Sequence, residues 1–435
     1  MKNLFKILIC TSLLLCAYRG IAYTAEVEGI EDTDISDAVE KTINLKKESE
    51  FKFIPIIDIT ALGAWSKVDG SKSIGGANVK GSIAPALRLN KKNYIIPLYY
   101  GSYNKERQIV VEEEGGLLYN ELMDHNLTVE YKRIIDENLI FKIDGLMRLH
   151  YVKEPDYSWD DGLYDYKDFG VNSNIEYFFT KTKSEKRSVV VGGGYYHRQY
   201  PNYKSLISLA SVTAAETDQK DYDGFMPSLT YKYIDTKLKC DLMYSPLYKD
   251  FNDKRVIDYN GVLLDERRKD WFHYANIKLS YLPEESSFVY GLWLTGILVD
   301  SNQNYYDSGN TVPLNDDIYT KNYYSFKSLN INPRLTYMHK VDGQKQPATV
   351  TLGYGYTVRD YDERKAQDAG GTYTGKTELD QLHAIRVQGT YPLTEHISAV
   401  CTGGYTKSLS NMKYETYYRY NYESYFAAAG LRIKY

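Results

Sequence analysis

The chain has 435 residues, 43 % hydrophobic and 25 % charged, with 45 Tyr, 13 Phe, 4 Trp and only 12 Pro, at a formal net charge of −4. That is too apolar and aromatic for a disordered chain. After residue 22 no apolar run approaches the ~20 residues of a spanning helix, so a helical membrane protein is excluded, and no basic tract offers a nucleic-acid arm.

The start reads as an export signal. Lys2 and Lys6 form a basic region, Ile7 to Tyr18 is a short apolar stretch, and Gly20-Ile21-Ala22 supplies small residues before a cut. Cys16 follows Leu15, where a lipoprotein signal wants a small residue, so lipidation is rejected. Removal of 1–22 takes three basic side chains and leaves a net charge of −7. Residues 23–50 are a separate N-terminal segment. Ile35, Ala38, Val39, Thr42 and Ile43 recur at helical spacing behind Asp34 as a cap, which fits either an amphipathic helix over 35–46 or a disordered leader.

From residue 51 the period becomes two. Residues 349–358 read Thr-Val-Thr-Leu-Gly-Tyr-Gly-Tyr-Thr-Val, and the same alternation recurs at 79–89, 127–132, 139–151, 227–233, 238–244, 275–281, 329–337 and 383–391. Strand side chains point alternately to opposite faces, so each segment has one apolar and one polar face. Short polar turns fall near Lys91, Glu137, Ser184, Asp235, Glu285, Gly343 and Thr394, with gaps of 46 to 58 residues. Longer Tyr/Asp/Gly-rich loops lie between them, near 66–77, 105–121, 152–165, 201–222, 251–268, 301–320, 364–378 and 409–413. Strict alternation of turn and loop gives sixteen strands with both ends on the turn side. Pro85, Pro227 and Pro333 fall inside these strands, where each must remove a ladder bond or force a bulge.

The fold class is therefore all-β, a closed antiparallel barrel over 51–435. In a bilayer core no water satisfies backbone polar groups, so a sheet survives there only if it closes on itself. The chain ends Tyr425-Phe-Ala-Ala-Ala-Gly-Leu-Arg-Ile-Lys-Tyr435, with Tyr425, Ala427, Ala429, Leu431, Ile433 and Tyr435 on one face. This resembles the C-terminal strand of Gram-negative outer-membrane β-barrels, with Leu431, Ile433 and Tyr435 at the hydrophobic, hydrophobic and terminal-aromatic positions of their insertion signal. The strand count resembles the porins most. The resemblance implies a transmembrane barrel in the outer membrane, short periplasmic turns and longer extracellular loops. It further implies that 23–50 is periplasmic. The partners it implies are outer-membrane lipid and lipopolysaccharide, the barrel-insertion machinery and a homotrimer.

With the apolar faces turned to lipid, the charged members of each strand face the lumen. They are Lys80, Arg88, Glu130, Lys132, Lys142, Asp144, Arg148, Glu176, Lys232, Lys239, Asp241, Lys278, Arg334, Arg359, Arg386, Arg432 and Lys434. Thirteen are basic and four acidic. A basic wall in a narrow low-dielectric tube raises the local concentration of anions. Loop 201–222 is the candidate constriction: Leu206 to Val212 is an apolar stretch, followed by Glu216 and Asp218. The same stretch also suits a surface helix on neighbouring loops. Cys240 and Cys401 fall on lipid-facing positions of distant strands, so two free thiols are expected.

Signals for chemistry are weak. There is no Gly-x-Ser-x-Gly and no paired His at metal spacing, and Asp124 and His125 are adjacent on a strand and so face opposite ways. Asp300-x-Asn302-x-Asn304 lacks the Gly and Glu of a calcium loop. No catalysis, cofactor or metal is expected. The sequence thus supports a passive channel for small hydrophilic solutes that prefers anions. The alternative is a non-conducting surface barrel serving as receptor, adhesin or wall element.

Overall fold

The computed structural model describes residues 52–54, 56–113, 115–153, 158–203, 218–307 and 318–435. The export signal, the segment 23–50 with 35–46, and Leu206, Val212 and Glu216 lie outside the described residues.

Every regular element among them is a β-strand. The first eleven are β1 (Lys52–Ile54), β2 (Ile57–Val68), β3 (Ile74–Ile83), β4 (Ala86–Arg88), β5 (Asn93–Asn104), β6 (Gln108–Val111), β7 (Gly116–Tyr119), β8 (Glu121–Ile134), β9 (Leu139–Lys153), β10 (Tyr166–Lys181) and β11 (Glu185–Gln199). The rest are β12 (Tyr222–Asp235), β13 (Leu238–Ile257), β14 (Leu263–Tyr281), β15 (Phe288–Ser301), β16 (Tyr305–Asp307), β17 (Ile318–Thr320), β18 (Phe326–His339), β19 (Ala348–Gln367), β20 (Tyr373–Pro392), β21 (Ile397–Ser410) and β22 (Tyr422–Lys434). Eighteen of them form one antiparallel sheet. Since β1 with β2, and β3 with β4, each make one interrupted wall strand, the wall has sixteen. β22 pairs with β2 from Asp58↔Lys434 to Val68↔Ser424, which closes the cylinder and leaves no edge. β6–β7 and β16–β17 are separate hairpins inside loops.

The rows sort by solvent preference in the direction opposite to a soluble protein. On β10 the outward row Phe169, Val171, Ile175 and Tyr177 is 44 % to 49 % exposed, while inward Asp168 and Glu176 are buried. Exposed aromatics bracket the apolar belt, as with Trp271 and Tyr281 on β14 and with Tyr425 and Tyr435 at the last strand. Paired aromatic girdles around an apolar band suit the two interfaces of a bilayer. Leu431, Ile433 and Tyr435 all lie exposed on the outward row.

The prolines act as their missing N–H requires. The second wall strand breaks at Ala84 and Pro85, between β3 and β4. The β12–β13 ladder skips Met226 to Ser228, and the Ser245 hydroxyl donates to the Pro227 carbonyl at 2.8 Å. The β18–β19 ladder skips Asn332 and Pro333.

Three loop boundaries need correction. Residues 251–268 and 364–378 are largely strand: β13 and β14 meet in a turn at 258–262, and β19 and β20 in one at 368–372. These hairpins rise beyond the apolar belt, and their residues do not follow its strict apolar–polar alternation. Gly261 (φ 77°) and Gly371 (φ 86°) make the turns possible. The loop expected at 409–413 is longer, running to Asn421. Cys240 and Cys401 are unbridged, and the register puts both on outward rows.

Candidate functional site: a hairpin across a charged lumen

The loop between β5 and β8 does not stay outside. Its apolar runs, Ile109-Val110-Val111 and Leu117-Leu118-Tyr119, pair as β6 and β7 around an acidic, glycine-rich tip. A hairpin with two apolar faces must bury both, and here it uses the inner wall. Val110 and Tyr119 pack with Leu122, Val152 and Tyr164, while Ile109 packs with Val68 and Tyr422. Tyr119 and Val110 are essentially fully buried, and each such burial contributes about 1.5–3 kcal/mol. At the base, the Arg107 N–H donates to Ser66 Oγ at 2.7 Å, and its guanidinium donates to Asn120 and to the Lys72 carbonyl, each at 2.9 Å.

The tip reaches the opposite side. A Cβ on Gly115 would lie 2.7 Å from Tyr418, and one on Gly116 2.3 Å from the Arg419 carbonyl. Only glycine permits the approach that lets the Arg419 N–H donate to the Gly116 carbonyl at 2.8 Å. Glu113 then meets β14: Arg268 Nη1 donates to Oε2 at 3.0 Å and Nη2 to Oε1 at 3.4 Å. Lys220 Nζ stands 3.9 Å from the same carboxylate, and Arg364 of β19 donates to the Glu113 carbonyl at 3.1 Å. The hairpin thus touches β2, β9, β14, β19 and β22, and it lies across the barrel at its loop end. Burial by itself pushes the Glu113 carboxyl up. The charges of Arg268, Lys220 and Lys249 outweigh that and hold it well below the usual carboxylate range.

The cations around Glu113 are braced by the wall. Asp270 accepts from Arg268 Nε at 3.0 Å and Nη2 at 2.7 Å, and Phe251 and Tyr324 lie 4.4 Å and 4.1 Å from its guanidinium carbon. Asp168 takes both forks of Arg198 at 2.6 Å and 2.7 Å, over the ring of Tyr166. The Lys249 ammonium lies between the Tyr222 ring at 4.7 Å and the Phe272 ring at 4.4 Å. It makes no hydrogen bond or ion pair among the described residues.

The register places Lys80, Arg88, Lys132, Lys142, Arg148, Lys232, Lys239, Lys278, Arg334, Arg359, Arg386, Arg432 and Lys434 on inward rows, with Glu130, Asp144, Glu176 and Asp241. Several are in pairs. Arg148 donates to Asn126 at 2.9 Å and reaches Asp168 at 3.5 Å. Lys232 stands 3.4 Å from Glu176, and Arg432 grips Asp58 with both forks. Arg334 stacks on Trp293 at 3.5 Å, with Lys278 on the same ring.

The acids are more numerous than the sequence indicated. Asp58, Asp124, Asp168, Asp270, Glu378 and Asp380 also face inward, along with the cations Arg198, Lys249, Arg268 and Arg364. Among the described residues cations remain in excess, but much of the expected basic wall is neutralised in place. Asp124 pairs across the ladder with His150 at 2.6 Å, and Ser102 donates to Asp124 rather than to the imidazole. Asp218 sits in a left-handed turn (φ 64°), and its main-chain carbonyl accepts from the Asp221 N–H at 3.1 Å. The apolar part of 201–222 lies outside the described residues; the segment that enters the barrel among the described residues is the hairpin of 105–120. Its signal was present in the sequence: two apolar triplets flank Glu112-Glu113-Glu114-Gly115-Gly116.

No family profile and no curated protein sequence matches the chain. Solved structures of similar shape include OmpT of Vibrio cholerae in its trimer form, at 11 % identity and TM-score 0.44, over 89 % of this chain and 100 % of that one. OccD3 of Pseudomonas aeruginosa aligns at 9 % identity and TM-score 0.44, over 96 % and 99 %. The anion-selective porin of Comamonas acidovorans aligns at 10 % identity and TM-score 0.42, over 89 % and 100 %. Likeness at that level says nothing about what this chain carries.

Proposed function

We propose that the protein is an outer-membrane channel for small hydrophilic solutes, narrowed by the hairpin 105–120 and favouring anions. The observation that carries this is the inversion of the rows: apolar side chains outside, charged ones inside a sealed wall. A charge on the outward rows at mid-membrane would cost roughly 2–4 kcal/mol, whereas inward charges need only water or a partner. The C-terminal pattern ending at Tyr435 supports insertion into an outer membrane. The excess of inward cations supports the anion preference.

Liposome swelling tests the transport step. Vesicles holding the refolded protein swell in an isosmotic small sugar, and faster in the sugar acid of the same size. Equal rates remove the anion preference. No swelling removes the channel and leaves a surface receptor or wall element. The second reading has its own support, because the hairpin packs against both sides of the wall and occupies the loop end.

A further inference from the structure

The hairpin delivers one carboxylate into a group of cations that do not need it for their own placement. Arg268 is already oriented by Asp270 and by its stacking between Phe251 and Tyr324. Lys220 lies 4.9 Å from each of the Tyr164 and Tyr203 rings. Lys249 is held between two rings and makes no hydrogen bond among the described residues, so its N–H donors are open to an incoming oxygen. Cations fixed in this way cost little to reorganise when a ligand changes. The Arg268 fork matches a carboxylate by two bonds, and Glu113 uses that match.

We propose that Arg268, Lys249 and Lys220 form a binding site for a small organic carboxylate, which the chain fills with its own Glu113 until a solute competes for it. The inference rests on the channel reading and gives the solute class: a monocarboxylate no bulkier at its head than the glutamate side chain. A solute that takes Arg268 and Lys249 leaves Glu113 without the two bonds it accepts from Arg268. The tip keeps the bond from the Arg364 guanidinium to the Glu113 carbonyl and the one from the Arg419 N–H to the Gly116 carbonyl. Solute binding and loosening of the hairpin are thereby linked, since Glu113 and the solute cannot hold the Arg268 fork together.

Propionate reproduces the glutamate side chain and is the probe. Binding of 13C-labelled propionate to the folded protein in detergent is measured by NMR line broadening. Propionamide serves as the uncharged control, and heat-shifted electrophoretic mobility confirms folding of each variant. Both Glu113→Gln and Glu113→Ala should bind propionate at least tenfold more tightly than the parent. Adding Arg268→Gln to either should abolish the gain, and propionamide should not bind. Equal affinity in parent and Glu113 variants, or tight binding that survives Arg268→Gln, overturns the proposal. Bilayer current on the same samples separates the two readings. Gain of binding with no current in any variant refutes the channel and keeps the site. Current without gain of binding does the reverse.

Discussion

Glu113 concentrates the chemistry of single residues. Its carboxylate is charged because three cations outweigh the burial penalty. The sign of the pH effect follows. A depressed folded-state pKa gives anchoring that is fully present above the ordinary carboxylate pKa of about 4.3, and lost only as pH falls through the depressed value. Glu113→Gln should therefore raise single-channel conductance, and by the same ratio at pH 7 and pH 4. A ratio that collapses to one by pH 4 would show that Glu113 titrates normally. None of Arg198, Lys249, Arg268 or Arg364 was recognised in the sequence as a lumen residue, because all four fall outside the clearly alternating segments, and Arg268 and Arg364 fall in stretches that read as loops. The cysteines were legible, since alternation alone puts Cys240 and Cys401 on outward rows. In the inserted protein both thiols should resist a charged, water-soluble maleimide and react once the barrel is unfolded. Rapid labelling in the inserted state would place those rows in water.

At the scale of elements, the two faces of one strand make opposite predictions for one substitution. Ile175 is exposed on the outward row of β10, and Asn174 next to it points inward. Ile175→Arg should destabilise the vesicle-inserted barrel by about 2–4 kcal/mol in urea, while Asn174→Arg should stay within roughly 1 kcal/mol. Equal costs would mean the faces are not lipid and water. Strands with a lipid face were readable in the sequence because the bilayer enforces period two. The tops of β13, β14, β19 and β20 were not, because water on both sides removes that constraint and only ladder pairing remains. The candidate constriction 201–222 was read from its apolar middle, which lies outside the described residues. The hairpin 105–120 carries the same kind of signal in two halves around a Gly-Gly turn, and what it packs against is set by tertiary contacts.

For the whole molecule, strand number and closure follow from the turn-and-loop rhythm, while the charge balance of the interior does not. The sequence list held four inward acids. Folding adds Asp58 against Arg432, Asp168 against Arg198, Asp270 against Arg268 and Glu378 against Arg364. Such paired charges contribute little net field at a distance, so any selectivity must come from the cations left over and from the narrow section at the hairpin. The most direct measurement is the reversal potential of the reconstituted protein across a planar bilayer under a tenfold potassium chloride gradient. A water-filled lumen with an excess of cations gives discrete current steps that reverse toward the chloride equilibrium potential. Silence under all voltages, or reversal toward the potassium potential, would contradict it.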